Sequence, residues 1–211
     1  SMVIRVCCFL SILLCSSVLS ANNIEQLNNT FLKQVNTQLS QLSIPGGAYV
    51  IVQHGAIASL ETFGYIDKAK SDKVTEHTVF RLASVSKTFA ATLTTMLAQE
   101  QQLTLSDPIT KYVPDFTLAQ AGAAQKIQIK HILSHSSGLM PNAYDNLLHE
   151  NWSMNKIINR FDRVTPICPP EKCYGYQNIA YGMLQPVIEA SQDKSYATLL
   201  KERVFTPLDM T

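Results

Sequence analysis

The chain has 211 residues, 46% of them hydrophobic and 16% charged, with 17 basic against 16 acidic side chains. That length and balance allow a sizeable buried core and exclude a disordered tail. A net charge of +1 without a basic stripe excludes nucleic acid as an expected partner.

In chain order, the first feature is a single charge, Arg5, followed by an apolar run from Val6 to Leu19 and small residues at Ser20 and Ala21. This pattern predicts a secretory signal peptide over residues 1–21. The run is about 14 residues, short of the ~20 that span a bilayer, so no stable membrane insertion is expected after cleavage. A Cys15 lipid anchor is the weaker alternative, because Leu14 before it is bulky. Cleavage removes Arg5, leaving 17 − 1 = 16 basic residues against 16 acidic. It also removes Cys7, Cys8 and Cys15, so only Cys168 and Cys173 of "CPPEKC" remain, and in a periplasmic or secreted protein they are expected to pair. The five histidines are scattered without ligand spacing, so no metal and no cofactor is expected.

From Asn22 to Leu42 apolar residues recur every three or four positions, predicting an amphipathic helix with one buried face. "AYVIVQHGAIASLETFGYID" then reads as two strands joined at His54-Gly55. Ser84 is expected to open a helix running to Glu100, and residues 103–115 read as loop and short turns. Further helices are predicted around Ile129–Leu133, Met154–Phe161, Ile179–Ala190 and Tyr196–Val204. No strand run is evident after residue 82. Since a lone hairpin is marginal, either the sheet is small or its other strands lie beyond Thr211.

Between Arg81 and Glu100 the only charge is Lys87, and Ser84 precedes it by three residues. On a helix the two share a face, about 5–6 Å apart at Cβ. A desolvated lysine gives up its proton readily, its neutral amine can accept a hydroxyl proton, and N–H groups at a helix start can hold an oxyanion. Ser-x-x-Lys also occurs at Ser153/Lys156 and Ser191/Lys194, but there it reads as a helix cap amid other charges and as a polar helix end. Only at Lys87 does the charge stand in an otherwise uncharged run, where it is costly unless paired or used. An N-cap serine with a snorkelling lysine is the competing reading.

"FRLASVSKTFAA" is similar to the nucleophile segment of the serine β-lactamase and penicillin-binding superfamily, most of all its branch of class C β-lactamases, D-alanyl-D-alanine carboxypeptidases and related esterases. "YGYQNIAYGMLQPVIEA" resembles that branch's Tyr-x-Asn segment, with Tyr176 and Asn178. Tyr144-Asp145-Asn146 has the same spacing but does not lead into so long an amphipathic helix. "LTLSDPITKYVPDF", "IQIKHILSHSSGLM" and "VFTPLDMT" extend the resemblance over nearly all of residues 25–211.

The resemblance implies an α/β fold, an antiparallel sheet flanked by helices plus a helical subdomain, with residues 22–83 forming the N-terminal helix and hairpin and 84–211 the mainly helical part. It implies that Ser84 attacks a carbonyl, Lys87 takes or relays its proton, Tyr176 protonates the leaving group, and Asn178 binds the substrate amide and orients Lys87. The implied substrate is a small molecule, a β-lactam or a D-alanyl amide. For Tyr176 and Asn178 the structural alternatives are a turn tyrosine and an N-cap asparagine, and His135 is expected to fix a turn before Gly138. The family has a glycine in the turn before its Tyr motif where this chain reads "PPEKC", so that loop is expected to be rebuilt around a Cys168–Cys173 bridge. The family's third element, Lys-Thr-Gly or His-x-Gly on a late strand, does not occur here. The C-terminal strands are therefore expected to be absent, and these 211 residues alone are expected to bind substrate weakly without turning it over.

Overall fold

The computed structural model describes residues 24–210. The expected leader at 1–21, with Cys7, Cys8 and Cys15, lies outside the described residues. The chain divides into two compact units, one ending at Arg81 and one beginning at Leu82.

In the first unit, helix α1 covers residues 24–42 and precedes a hairpin of β1 (Gly46–Gln53) and β2 (Ala56–Gly64). The strands pair antiparallel from Gly46↔Gly64 to Gln53↔Ala56, with an irregularity between Ile51 and Val52. His54 and Gly55 both have positive φ, 52° and 75°. A two-residue loop with both residues left-handed matches the right-handed twist of the strands it joins, which is why His-Gly reads as a turn. At the hairpin's other end Gly64, φ 67°, lies so close to Pro45 that a Cβ would meet the Pro45 carbonyl oxygen at 2.1 Å.

Helix α1 rests on the hairpin through Phe31, whose ring meets Tyr49 edge-on at 4.9 Å, and through Asn28. Asn28 accepts from the Tyr49 hydroxyl at 2.7 Å and donates to Glu61 at 2.9 Å. The expectation of a fully buried helix face is corrected here. Leu27 and Leu42 are 59% and 63% exposed, and Val74 is the unit's one buried apolar residue among the described residues. Two strands offer too little surface to cover a five-turn helix, and Val50, Val52, Ile57 and Leu60 on the hairpin also stand exposed.

The second unit holds the core. Its helices are α2 (Ser86–Gln99), α3 (Ile129–Leu133), α4 (Asp145–His149), α5 (Met154–Asn159), α6 (Asn178–Gly182), α7 (Leu184–Gln192) and α8 (Tyr196–Leu200). Leu93 and Leu97 of α2 are fully buried, and α2 packs against α7, which contributes Leu184, Val187 and Ile188. Phe116 and Phe161 meet at 6.0 Å beside Ile109, Ile127 and Ile157. Each such side chain contributes about 1.5–3 kcal/mol on burial. The one polar side chain of α2 in this core, Thr94, satisfies its hydroxyl by donating to the Ala90 carbonyl at 2.7 Å.

Three helix boundaries differ from expectation. Ser84 does not open α2 but sits in a 3₁₀ turn, Ala83–Val85, because Ala83 has φ 48° and α2 starts at Ser86. The single helix predicted over Ile179–Ala190 is two, parted at Met183. Pro186 has no N–H to give the carbonyl of Gly182, so the first helix cannot continue through it. The last predicted helix holds α-helical winding only to Leu200 and widens into a π turn over Lys201–Phe205. Ser153 caps α5 by accepting from the Lys156 N–H, and Ser191 lies in the last turn of α7, so both outlying Ser-x-x-Lys pairs have the expected structural roles.

Cys168 and Cys173 are bonded to each other. The loop they close is also fastened from outside, since Glu171 pairs with Lys130 and with the buried His131, its Oε1 lying 3.0 Å from His131 Nε2. His131 Nδ1 accepts the Gln128 N–H at 3.0 Å, so the ring proton is on Nε2 and points at Glu171. Lys130, then His131, draw the Glu171 pKa down to about 2. A depressed carboxylate pKa contributes stability that is present above its unfolded value, near 4.5, and is lost as pH falls through the folded value. Acid denaturation of the wild type is therefore expected to include a component between about pH 4.5 and 2 that Glu171→Gln lacks, as followed by circular dichroism. Thiol titration of the oxidised protein is expected to find Cys168 and Cys173 unreactive.

Candidate active site

All four residues singled out in the sequence come together in the second unit. Ser84 is presented by the 3₁₀ turn ahead of α2, and Lys87 follows on the first turn of that helix. Lys87 Nζ donates to Ser84 Oγ at 3.2 Å and to Asn178 Oδ1 at 2.6 Å. Tyr176, two residues before α6, brings its hydroxyl 2.8 Å from Ser84 Oγ. Ser84 is exposed, while Lys87, Tyr176 and Asn178 are half-buried. One serine oxygen is thus within hydrogen-bond reach of both an amine and a phenol, and either can exchange a proton with it.

The Lys87 ammonium also lies over the Tyr176 ring, 4.7 Å from its centre, and over Tyr181 at 5.8 Å. Lys87 and then the Ser84 hydroxyl lower the Tyr176 pKa, against opposing effects of burial and of the Asp145 charge. A phenol with an eased ionisation is present as phenolate, the form that accepts a proton, in a larger fraction near neutral pH than a free tyrosine. A cleft of about 190 Å³ opens beside the pair, lined by Lys87, Asn178, Tyr181, Gln185 and Tyr196 among others. Among the described residues no group of three or more His, Cys, Asp or Glu side chains is arranged to hold a metal.

The two Tyr-x-Asn segments part company in the fold. Tyr144 sends its hydroxyl to the Arg160 carbonyl at 3.2 Å and packs its ring on Phe161 at 5.4 Å, and the Asn146 amide donates to Glu150 at 3.4 Å. Only Tyr176 reaches Ser84. The decoy nevertheless contributes, because Asp145 Oδ2 accepts from Asn178 Nδ2 at 2.8 Å. Nor is Asn178 the helix cap. That task falls to the buried Gln177, whose Oε1 accepts from the N–H groups of Ile179 and Ala180 while its Nε2 donates to the carbonyls of Met140 and Ala143. Neither Gln177 nor Asp145 stands out in the sequence as a site residue. Glutamine is an uncommon cap, and the Asp145 contact spans 33 residues.

A family model described as Beta-lactamase matches residues 22–211. The chain belongs to the beta-lactamase family. Protein flp of Staphylococcus aureus (strain MRSA252) is 28% identical over 192 residues, which are 88% of this chain and 38% of that protein. The chain thus spans well under half the length of the curated relatives it matches. Among solved structures, the D-alanine carboxypeptidase AmpC from Burkholderia cenocepacia superposes with a TM-score of 0.71 at 28% identity, covering 89% of this chain and 49% of that one. A class C beta-lactamase superposes at 0.73 with 22% identity, over 89% of this chain and 50% of that one. The fold is the helix-rich α/β fold of the beta-lactamase family, here with a small antiparallel sheet.

Within this family fold, the loop carrying Tyr176 is laid against the segment after α3. Ile167 N–H donates to the Gly138 carbonyl, Glu171 N–H to Ser136 and Gly175 N–H to His135, each at 2.8 Å. His135 occupies the turn expected of it, with φ 54°, and its ring also stacks on Tyr176 at 4.4 Å while Nδ1 accepts the Gln177 N–H at 3.2 Å. Burial and then the Lys87 charge lower the His135 pKa, favouring the neutral ring that this acceptor role requires.

Two glycines make the close approach possible. At Gly138, φ 82°, a Cβ would sit 2.1 Å from the Cys168 carbonyl oxygen, and at Gly175 one would sit 2.6 Å from that of Leu139. Gly138→Ala is expected to cost roughly 1–3 kcal/mol in urea denaturation, from the strained φ and the displaced backbone. Gly122, also at positive φ but in open space, has no such backbone collision. Gly122→Ala is therefore expected to cost less, and equal costs at the two positions would contradict this account.

Proposed function

We propose that the protein is a serine hydrolase that forms an acyl-enzyme on Ser84, with β-lactams as the preferred substrate class in the manner of class C enzymes. The observation that carries this reading is the convergence of Lys87 Nζ and the Tyr176 hydroxyl on one exposed serine oxygen. In this reading Ser84 attacks the carbonyl carbon, its proton passing to Tyr176 in its phenolate form beside the Lys87 ammonium, or to Lys87 in its neutral amine form. Tyr176 then returns a proton to the leaving nitrogen and later activates water. Asn178, already bound to Lys87, offers its amide to the acyl-side carbonyl of the substrate. No cofactor takes part. The Cys168–Cys173 bond supports a periplasmic or secreted site of action.

A second reading is peptide rather than β-lactam hydrolysis, a D-alanyl-D-alanine carboxypeptidase. The 28% identity to the Burkholderia D-alanine carboxypeptidase favours it. An esterase of the same fold is a third. All three share the acylation chemistry and differ in the walls that hold the substrate.

The deciding experiment offers nitrocefin, a D-alanyl-D-alanine peptide and p-nitrophenyl butyrate side by side to the full-length protein. The fastest kcat/KM is expected for nitrocefin, and an intact-mass adduct is expected in wild type but absent in Ser84→Ala. An adduct on another residue overturns the reading. Lys87→Met keeps the volume and removes a half-buried charge, so the fold should persist, with unchanged or slightly raised stability. Its acylation by a fluorescent penicillin is expected to fall by several orders of magnitude, on the scale of losing an activating base. Labelling at the wild-type rate by folded Lys87→Met would reassign the lysine to a structural role.

A further inference from the structure

We propose that Asp145 is a positioning residue of this site, locking the Asn178 amide with its oxygen toward Lys87. The proposal rests on the acylation chemistry assigned above to Ser84, Lys87 and Tyr176.

Lys87, as an ammonium, can only donate, and the Asp145 carboxylate can only accept. The Asn178 amide lies between them, 2.6 Å from Nζ through Oδ1 and 2.8 Å from Asp145 Oδ2 through Nδ2. Turning the amide over would set its NH₂ group against the ammonium and its carbonyl against the carboxylate, two repulsive contacts in place of two charge-assisted hydrogen bonds. With Asp145 present the amide has one orientation. That orientation leaves the second Nδ2 hydrogen without a partner among the described residues and available to a substrate carbonyl.

The cost of this arrangement argues that it is more than packing. Asp145 Oδ1 is buried and has no hydrogen-bond partner among the described residues. A carboxylate oxygen withdrawn from water without an N–H in return is expensive, and a neutral residue would fill the space more cheaply. The backbone is also committed, because Tyr144, just before Asp145, has φ 62°, a left-handed conformation unfavourable for an aromatic residue, and is anchored through Arg160 and Phe161. The carboxylate polarises the amide it holds, making Oδ1 a stronger acceptor for Lys87.

Asp145 also acts on Tyr176 by charge. The groups facing Tyr176 are Lys87 and Ser84 from the α2 end, His135 stacked on its ring, Tyr181 from α6 and Asp145 from α4. Lys87 and Ser84 favour the phenolate and Asp145 opposes it. Removing the Asp145 charge should therefore let Tyr176 ionise at lower pH.

The test compares the full-length wild type with Asp145→Ala, Asp145→Asn, Asn178→Ala and the Asp145→Ala/Asn178→Ala double variant. The rate constant for acylation by a fluorescent penicillin and the preceding reversible binding constant are measured separately. Tyr176 is titrated by NMR of its labelled Cζ carbon. For Asp145→Ala the acylation constant is expected to fall about 10–10²-fold, the scale of a small misplacement, with reversible binding changed much less. The double variant should be no slower than Asn178→Ala, because Asp145 acts through that residue. Asp145→Asn keeps an acceptor and the volume, so it should acylate faster than Asp145→Ala while its Tyr176 titrates at lower pH than in wild type.

Three outcomes overturn the proposal: acylation of Asp145→Ala at the wild-type rate, full additivity in the double variant, or an unmoved Tyr176 midpoint in Asp145→Asn. Should Asp145→Ala fail to fold, the isosteric Asp145→Asn carries the comparison, including in the Asn178→Ala background. If wild type itself is not acylated at Ser84, the function proposed above fails. The Tyr176 titration then still decides whether Asp145 governs this cluster.

Discussion

The second unit is organised around one charge. Lys87 brings an ammonium into a helix whose neighbouring side chains are otherwise uncharged for a long stretch, and the surrounding elements supply what that ammonium needs. It receives a serine oxygen from the turn before its own helix, an amide oxygen from α6, and two aromatic faces from Tyr176 and Tyr181. The partners come from two stretches of chain, the turn at Ser84 and residues 176–181, so holding the charge forces those two stretches into register. The apolar core achieves the same register from below, with Leu93 and Leu97 of α2 against Val187 and Ile188 of α7. Packing and electrostatics therefore specify one arrangement of α2, α6 and α7, and neither has to do it alone.

Glycines and turns translate that register into position. Tyr176 is not on a helix; it hangs from a loop pressed against residues 135–139, and the pressing works only because Gly138 and Gly175 carry no side chain there. His135 fills the remaining space by stacking on the phenol. The loop thereby becomes a fixed mount, which is what a site residue carried by a loop requires.

What was legible in the sequence was the part governed by local rules. Lys87 stood out because an unpaired charge in an apolar run is expensive, and His54-Gly55 because few sequences tolerate two left-handed residues in succession. Ser153 was legible as a cap because a serine oxygen at a helix start can accept one of the free N–H groups there. Contacts that depend on distant chain were not. Asp145 looked like part of a competing Tyr-x-Asn motif, and nothing within 30 residues of it predicts an Asn178 partner. Gln177 took the cap that asparagine would ordinarily fill because its longer side chain also reaches Met140 and Ala143. The break at Met183 was readable in Pro186 but masked by an uninterrupted apolar periodicity. The half-covered face of α1 was hidden for the opposite reason, since periodicity reports that a face is apolar and says nothing of how much surface is there to receive it.

The loop from Ile167 to Gly175 is fastened in two ways that answer to different surroundings. The Cys168–Cys173 bond yields to reductant and ignores acidity, whereas the Glu171 carboxylate yields to protons and ignores reductant. A mount with two such fasteners behaves as a logical AND for its own failure: acid alone leaves the covalent staple, and reduction alone leaves the ion pair. Loss of either fastener alone still leaves the three backbone hydrogen bonds that lay this loop against residues 135–138, so the position of Tyr176 does not hang on one chemical bond.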